Sequence, residues 1–498
     1  MIQATASHAG KSLLVAGLCR LFRQEGLRVV PFKSQNMALN AYVTRDGGEM
    51  GWAQAMQAEA AGVEPRVEMN PILIKPHSAE GSQVILLGTV FGRVGAAEYY
   101  GQVARLWPAV VESYRRLAAD ADLVLIEGAG NPAEPNLMER EIANMAVARL
   151  AKAPVLLVGD IDRGGVFASL LGTLALLRPS DRRRVRGLII NKFRGDPALL
   201  ASGVEFLERK ARRPVWGVVP LLARLYLPEE DSVALDEVRD EPPGGPTRVR
   251  VVVVRLPHIA NFTDFAPLER EARAEVVYAR RSAELAGAHL VILPGSKDTI
   301  ADLRFLKAEG FDGALREHVA RGGSIGGICG GFQMLGRSVA DPQGVESGGT
   351  EPGLDLLPVT TTLVPPKITR RVRARLLPGP WGNSSGEWEA YEIRMGRTVT
   401  TGTLAPLFAI RRDGAGAVEE TDGQVTADGR VWGTYLHGCF DPREVRDTLL
   451  AWLSGLSPNR EAWPSGDYRA LRETAYESLA ETLRRTLNLP AIRRLIGL

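Results

Sequence analysis

Residues 322–331 read Gly-Gly-Ser-Ile-Gly-Gly-Ile-Cys-Gly-Gly, a glycine-rich apolar approach followed by the pattern G-x-C-x-G around Cys329. Glycines at these positions allow a strained turn from a strand into a helix. Such a turn holds the sulfur at the sheet edge beside backbone N–H groups. The stretch therefore predicts an α/β domain with a cysteine nucleophile at the carboxyl end of a strand.

A cysteine nucleophile needs a general base, and the segment Gly433-Thr434-Tyr435-Leu436-His437-Gly438 offers His437, one of six histidines in the chain. The alternative is that Cys329 is a small buried hydrophobic residue and His437 a core histidine with satisfied hydrogen bonds. The glycine spacing around Cys329 favours a catalytic pair.

A second motif lies near the start of the chain, where residues 5–12 read Thr-Ala-Ser-His-Ala-Gly-Lys-Ser. Gly10, Lys11 and Ser12 form the end of a P-loop, in which backbone N–H groups hold phosphates, the lysine neutralises them and the serine reaches Mg²⁺. Thr5 occupies the position of the first glycine of the general pattern, so the match is partial. A short strand before the loop and an apolar helical run after it supply the context that the motif requires.

Composition and charge limit the functional classes to which the protein can belong. The chain has 498 residues, 45% of them apolar and 24% charged, with a net charge of +3 and three cysteines. This length predicts two to four domains. Near-neutral charge argues against a nucleic-acid binder, and three cysteines without a C-x-x-C pattern fit a reducing compartment. The sequence contains no signal peptide pattern and no membrane-spanning apolar run, so we expect a cytoplasmic protein with no membrane or nucleic-acid partner.

Two α/β domains are predicted along the chain. Apolar runs at 123–126, 155–158 and 187–190 have the length of buried parallel strands, with helical stretches between them. We expect a doubly wound P-loop domain at 1–235, an acidic linker rich in proline and glycine at 236–248, and a second α/β domain at 249–445. We expect residues 446–498 to form a helical extension of this second domain.

This combination resembles the cobyric acid synthase family, whose members join a P-loop domain to a glutaminase domain. Specific stretches are Pro31-Phe32-Lys33-Ser34-Gln35-Asn36-Met37, Asp160-Ile161-Asp162-Arg163-Gly164-Gly165-Val166-Phe167, and Asn191-Lys192-Phe193-Arg194-Gly195. The resemblance covers essentially the whole chain. It implies a dethiobiotin synthetase-like fold for the first domain and a class I glutamine amidotransferase-like fold for the second.

The resemblance implies an ATP- and glutamine-dependent ligase that amidates the b, d, e and g carboxylates of adenosylcobyrinic acid a,c-diamide. Its substrates are small molecules (corrinoid, glutamine and ATP), and it uses Mg²⁺ without a tightly bound cofactor. One alternative is cobyrinate a,c-diamide synthase, in which a Gly-Pro-Asp motif stands in place of Ser34-Gln35-Asn36-Met37. The other is a P-loop switch ATPase of the partitioning type, which has no glutaminase domain.

The implied ATP site comprises Thr5, Gly10, Lys11 and Ser12. Glu127, at the end of a predicted strand, is the expected acidic ligand of Mg²⁺ together with Ser12. Glu49 is a second candidate ligand, with Asp46 as its rival. A polycarboxylate corrinoid needs cationic and amide groups around it. The candidates are Lys33, Gln35, Asn36, Lys75, Arg163, Lys192 and Arg194.

In the glutaminase domain the resemblance implies that Cys329 attacks glutamine and His437 transfers the proton. The backbone N–H groups of Gly295 and Gly330 are the expected oxyanion donors. Many class I glutaminases carry a glutamate two residues after the histidine, but this chain has Cys439 there. Two interpretations follow: another group orients His437, with Glu392 as the candidate, or the thiol reacts more slowly. The family pattern also differs at Arg394, where a histidine is usual.

Overall fold

The computed structural model describes residues 1–78, 81–222, 225, 227, 248–384, 386–412, 418–455 and 467–498. The chain forms two compact units. Unit 1 comprises Met1–Met37, Met50–Leu227 and Arg472–Leu498, and unit 2 comprises Ala38–Glu49 and Pro228–Leu471. The predicted linker at 236–248 lies, apart from residue 248, outside the described residues.

In the N-terminal half, strands and helices alternate from residue 123 onward, as the apolar runs predict, whereas the strands at 29–51 and at 72–94 follow one another without an α-helix between them. The strands are β1 (Ile2–Ala4), β2 (Val29–Phe32), β3 (Gln35–Met37), β4 (Ala41–Val43), β5 (Glu49–Gly51), β6 (Ile72–Ser78), β7 (Gly81–Leu86), β8 (Thr89–Val94), β9 (Leu123–Ile126), β10 (Val155–Asp160), β11 (Val185–Phe193) and β12 (Val215–Pro220). The helices are α1 (Lys11–Gln24), α2 (Trp52–Ala61), α3 (Ala96–Asp120), α4 (Met145–Leu150), α5 (Val166–Leu176), α6 (Pro179–Arg182) and α7 (Ala201–Ala211).

Unit 1 contains a parallel sheet. Strands β1, β10, β11 and β12 pair in that order, β2 pairs with β9, and a parallel bridge between Ile2 and Glu127 joins the two groups. The resulting order is β2-β9-β1-β10-β11-β12, with all strands parallel. The chain adds β2 and β9 on one side of β1 and β10 to β12 on the other, so the winding of the sheet reverses beside β1. Ligands of such sheets bind at the carboxyl ends of the strands near this reversal, and there β1 leads into the phosphate loop and α1.

A smaller sheet of unit 1 has the order β3-β6-β7-β8, parallel between β3 and β6 and antiparallel elsewhere. The long helix α3 follows β8 directly and packs against β7 and β9. The start of α3 and the strand β3 line the same cavity.

Unit 2 adds β13 (Val249–Val254), β14 (Ile259–Ala260), β15 (Ala274–Ala279), β16 (Leu290–Leu293), β17 (Gly295–Ser296), β18 (Ser324–Ile328), β19 (Ser338–Asp341), β20 (Gly349–Pro352), β21 (Val359–Thr362), β22 (Ile368–Leu376), β23 (Trp388–Arg394), β24 (Arg397–Thr400), β25 (Ala405–Arg412), β26 (Glu419–Val425), β27 (Val431–Thr434) and β28 (Leu436–His437). Its helices are α8 (Ala266–Glu269), α9 (Thr299–Ala308), α10 (Phe311–Ala320), α11 (Gly330–Leu335) and α12 (Arg443–Ser454).

The main sheet of unit 2 has, within the described residues, the order β15-β13-β16-β18-β27-β26-β25-β22-β23-β28. It is parallel from β15 to β27 and antiparallel beyond. Every residue of β16 and β18 is buried, and so is every residue of β13 except Arg250, which explains their largely apolar sequences. The predicted α/β architecture of both halves is confirmed.

The C-terminal helices α13 (Tyr468–Thr486) and α14 (Leu489–Ile496) correct one prediction. Residues Arg472–Leu498 belong to unit 1, where Glu473 accepts a 2.6 Å hydrogen bond from Arg20 and the side chain of Leu483 packs against Gly17 of α1. The prediction that all of 446–498 extends the glutaminase domain is therefore wrong for this segment. An amphipathic pattern indicates that a helix buries one face, but it does not indicate against which surface.

Candidate active site

Cys329 occupies the turn between β18 and α11 and has φ 52° and ψ −107°. A positive φ is uncommon for a residue with a side chain and indicates a strained backbone. The Cys329 N–H donates to Thr434 O at 2.8 Å, which anchors the turn to β27. A Cβ on Gly331 would lie 2.0 Å from Leu293 O, so the helix can approach β16 this closely only with glycine. The structure therefore has the geometry of a nucleophile elbow.

His437 lies in β28 and is 1% exposed. Its Nδ1 is 2.7 Å from Asp264 Oδ2, and the neighbouring N–H of Gly438 donates to Asp264 Oδ1 at 3.0 Å. Asp264 therefore fixes both the ring and the backbone beside it. Asp264 was not predicted from the sequence, although it follows β13 at the carboxyl edge of the parallel strands, where site residues collect.

Glu392 does not orient His437, which corrects the sequence interpretation. Its buried carboxylate is paired with Arg370 and, at 3.2 Å, with Arg394 Nε. Arg394 also lies over the ring of Tyr435, with its guanidinium carbon 4.5 Å from the ring centroid. Glu392 is thus part of an ion-pair cluster, and its acidic side chain is committed to two arginines.

The pKa of His437 is set by opposing causes. Burial lowers it, but the Asp264 carboxylate and the nearby Cys329 outweigh burial and raise the pKa to about 10. The buried Nε2 atom makes no hydrogen bond of ordinary geometry within the described residues. With Nδ1 held by Asp264, Nε2 is the nitrogen that can exchange a proton with a thiol. The ring of Tyr391 stacks on the imidazole at 5.2 Å between centroids and 19° between planes.

Both glycines predicted as oxyanion donors lie beside this pair. A Cβ on Gly330 would be 2.9 Å from Ser296 N, and a Cβ on Gly295 would be 3.6 Å from His437 Cε1. The structure therefore brings Cys329, His437 and the two glycines into one site. Their roles in stabilising an oxyanion remain a prediction.

The phosphate loop of unit 1 joins β1 to α1. The Thr5 N–H donates to Val158 O at 2.9 Å, and Gly10 has φ 85°, which favours glycine. Lys11 Nζ donates to Ala6 O at 3.0 Å, so the side chain curls back over the loop. Asn191 Nδ2 donates to Ala9 O at 2.8 Å and clamps the loop from β11. This arrangement is that of a loop formed to hold phosphate oxygens.

Glu127 follows β9, is 1% exposed, and accepts a 2.9 Å hydrogen bond from Ser12 Oγ. Burial raises its pKa, but Lys33, whose Nζ lies 2.8 Å from Glu127 Oε1, and Gln57 outweigh burial, and the pKa is lowered. Glu127 is therefore ionised beside Ser12. Gln57 Oε1 is buried here without a hydrogen-bond partner in the described chain. This set of oxygen atoms fits Mg²⁺, which prefers hard oxygen ligands and shares them with phosphates.

Glu49 and Asp46, the other predicted metal ligands, belong to unit 2. The buried Glu49 carboxylate is paired with Lys367 Nζ, and Asp46 accepts a 2.6 Å hydrogen bond from Thr44 Oγ1. Neither residue belongs to the unit that holds the phosphate loop. Their role as metal ligands stays a prediction.

The predicted substrate-binding residues have different environments. Lys33, Asn36 and Lys75 are buried, and Asn36 Nδ2 donates to Gln54 Oε1 at 3.1 Å. Lys192 pairs with Asp160 at 3.3 Å and Arg194 with Asp162 at 2.6 Å, while Arg163 is exposed. A cavity of about 630 Å³ adjoins the phosphate loop. Of the predicted substrate-binding residues, all of which the structure describes, Gln35 alone lines this cavity.

Two family models match the chain. One, described as a CobB/CobQ-like glutamine amidotransferase domain, matches residues 250–445. The other, a CobQ/CobB/MinD/ParA nucleotide binding domain, matches residues 1–233. Within the described residues, no helix has the length and apolar character needed to span a membrane.

Similar proteins align over the whole chain. It is 48% identical to the cobyric acid synthase of Syntrophobacter fumaroxidans, covering 100% of this chain and 98% of that protein. It is 49% identical to the cobyric acid synthase of Desulforudis audaxviator, covering 100% and 99% of the two chains, and 47% identical to that of Moorella thermoacetica, covering 100% and 97%. Identity of this degree over the full length shows that the chain belongs to the cobyric acid synthase family.

Proposed function

We propose that the protein amidates the b, d, e and g carboxylates of adenosylcobyrinic acid a,c-diamide, using ATP to activate each carboxylate and glutamine as the source of nitrogen. The observation that carries the proposal is that one chain contains both a Cys329–His437–Asp264 constellation and a phosphate loop whose Ser12 is hydrogen-bonded to Glu127. A P-loop switch ATPase has no use for the first of these sites.

Cys329 Sγ attacks the side-chain carbonyl carbon of glutamine after its proton passes to His437 Nε2. The carbon–nitrogen bond then breaks, and the same proton leaves with the departing ammonia, so a glutamyl thioester forms. Water, deprotonated by His437, hydrolyses the thioester to glutamate. Asp264 holds the imidazole in place and stabilises its charged form, because its carboxylate contacts Nδ1 at 2.7 Å. Gly295 and Gly330 would donate backbone N–H groups to the oxyanion.

In unit 1 a substrate carboxylate oxygen attacks the γ-phosphorus of ATP, and ADP leaves. Ammonia then attacks the acyl carbon, and phosphate leaves as the carbon–oxygen bond breaks. Activation is needed because a carboxylate is a poor electrophile, and the protein contributes mainly positioning and charge neutralisation. Lys11, with Gly10 and Thr5 in the same loop, holds the phosphates. Bound Mg²⁺ would neutralise phosphate charge, with Ser12 and Glu127 as its protein ligands.

We assign Lys33 to the ATP and Mg²⁺ site rather than to the corrinoid site, because its 2.8 Å ion pair with Glu127 places its charge beside Ser12. Asn36, Lys75, Arg163, Lys192 and Arg194 remain candidates for the corrinoid. We further propose small-molecule substrates, no nucleic-acid or membrane partner, no tightly bound cofactor and a cytoplasmic location. The near-neutral net charge of +3 supports the exclusion of nucleic acid.

The test is to incubate the protein with ATP, Mg²⁺, glutamine and adenosylcobyrinic acid a,c-diamide and to follow the product by mass spectrometry. We expect successive amidations that end at adenosylcobyric acid. A parallel incubation with cobyrinic acid distinguishes this activity from that of a cobyrinate a,c-diamide synthase. Amidation of its a and c carboxylates, with the diamide left unchanged, would assign the protein to cobyrinate a,c-diamide synthase activity instead.

A further inference from the structure

The cavity beside the phosphate loop lies wholly within unit 1. The loop segment Thr5–Ser7 forms one end, and the remaining walls come from the sheet β3-β6-β7-β8, the start of α3 and the segment 129–144. Its volume of about 630 Å³ is within the usual range for small-molecule sites. A ligand in this cavity would have one edge against the place where the γ-phosphate of ATP binds.

The walls of the cavity are mainly apolar. They include Met37, Ile74, Val94, Leu137, Met138 and Ile142. Met37 is 57% exposed, which is unusual for a large apolar side chain and is explained if a ligand covers it. The cavity therefore fits a molecule with a broad apolar face.

One guanidinium group, that of Arg140, is part of the cavity lining. The Arg140 side chain is exposed and has no hydrogen bond or ion pair to any residue that the structure describes, whereas Arg194 and Arg178 are paired with acids. An unpaired guanidinium at the rim of an apolar cavity is suited to bind a carboxylate of the ligand.

A second polar group in the cavity is also suited to a ligand that carries carboxylates. The Tyr99 hydroxyl donates a 2.5 Å hydrogen bond to Gln35 Oε1, and both residues line the cavity. Burial raises the pKa of Tyr99, so its hydroxyl stays protonated and remains a donor. Because Oε1 is taken by Tyr99, the Gln35 amide presents its Nε2 hydrogens as donors. A donor of this kind suits a carboxylate oxygen on the ligand.

We propose that this cavity binds the corrin ring of the substrate, with Arg140 holding a peripheral carboxylate and the amide of Gln35, oriented by Tyr99, donating to another. The inference rests on the proposed function, since it assumes a flat tetrapyrrole-like substrate with carboxylate arms. It adds Arg140, which lines the cavity, to the candidate corrinoid contacts, among which Arg163 does not line it. Tyr99 is a positioning residue, because it acts through Gln35.

The first arm of the test uses the unaltered protein. Its conversion of the a,c-diamide, with ammonium salts as nitrogen source, shows whether the corrinoid is a substrate at all. Failure here contradicts the proposed function and the inference with it. Success leaves the position of the corrinoid to be decided by variants, with the KM for corrinoid and the KM for ATP measured separately.

The second arm compares Arg140→Ala with Arg115→Ala, a control arginine on α3 that is exposed, has no partner in the described chain and does not line the cavity. We expect Arg140→Ala to raise the KM for corrinoid by roughly 10- to 100-fold, as loss of a charged hydrogen bond does, with an unchanged KM for ATP. Arg140→Lys should recover part of this loss. Equal values for the two alanine variants would contradict the assignment, as would a shift in the KM for ATP alone.

The third arm compares Tyr99→Phe with Tyr114→Phe, the same substitution on the same helix outside the cavity. Losing the orienting hydrogen bond should raise the KM for corrinoid about fivefold in Tyr99→Phe. A Gln35→Leu variant should show at least that increase, and combining it with Tyr99→Phe should add little, because Tyr99 acts through Gln35. Additive effects would mean that Tyr99 does not act through Gln35.

Discussion

His437 Nδ1 lies 2.7 Å from Asp264 Oδ2, although 173 residues separate the two in sequence. The contact forms because Asp264 follows β13 and His437 follows β27, and both strands end at the same edge of the parallel part of the sheet. This arrangement supplies the third group that the sequence motif around His437 lacks.

Replacing Asp264 by asparagine should lower glutamine-dependent amidation by on the order of 10² to 10⁴, because the amide cannot stabilise the imidazolium. Activity with ammonium salts should change little, since unit 1 does not use this contact for activation. Steady-state rates with the two nitrogen sources measure both effects. Asp312→Asn, at a carboxylate without a side-chain partner in the described chain, is the control. Full glutaminase activity in Asp264→Asn would rule out its proposed role.

Protonation of His437 should contribute to stability in a defined pH range. Its pKa rises from 6.5 to about 10 on folding, against the effect of burial, because of Asp264 and Cys329. A group with a raised folded pKa contributes its full stabilisation below the unfolded pKa and loses it as the pH rises through the folded pKa. The difference in free energy of unfolding between the wild type and Asp264→Asn should therefore shrink between pH 6.5 and about 10. Urea titrations across this range measure it, and a constant difference would contradict the prediction.

Lys11→Ala should remove amidation with either nitrogen source, because carboxylate activation precedes capture of ammonia. Loss of one phosphate-neutralising cation should cost on the order of 10² to 10⁴ in rate. The rate with ammonium salts at saturating corrinoid is the measurement. A rate close to that of the wild type would exclude Lys11 from the phosphate site. Glutaminase turnover by Cys329, measured as glutamate release, is the control that unit 2 is intact.

Gly331→Ala should destabilise unit 2 strongly, because the new Cβ would lie 2.0 Å from the backbone oxygen of Leu293. Overpacking of this kind costs about 1 to 3 kcal/mol or more. Gly313→Ala is the matched control, because Gly313 lies inside α10 and a Cβ there would meet nothing within 4 Å. We expect that control to be neutral or stabilising by up to about 1 kcal/mol. Thermal unfolding distinguishes the two, and equal stability would contradict the packing argument.

The sequence predicted those parts of the molecule that local patterns determine. Largely apolar runs identified strands such as Leu123–Ile126 and Val249–Val254 with their observed bounds, although the second run contains Arg250. Glycine spacing identified Cys329, because the turn itself requires glycines. The motif GKS identified the start of α1 for the same reason.

Contacts between distant segments were not predicted, because no local pattern encodes them. Asp264 is such a case, and so is Lys33, whose pairing with Glu127 depends on the adjacency of β2 and β9. The helix α13 shows the same limit, since Arg20 of α1 pairs with Glu473 across 453 residues. Arg140 was not predicted, because an exposed arginine indicates a binding site only when the cavity beside it is known.

We propose that one chain generates ammonia at Cys329 and uses it at a separate ATP-dependent site. The most direct measurement is the rate of corrinoid amidation by Cys329→Ala with glutamine and, separately, with ammonium salts. We predict that amidation with glutamine is abolished, while amidation with ammonium salts remains near the wild-type rate, because unit 1 needs only free ammonia. Loss of both activities in a variant that folds normally, or retention of glutamine-dependent amidation, would contradict the account.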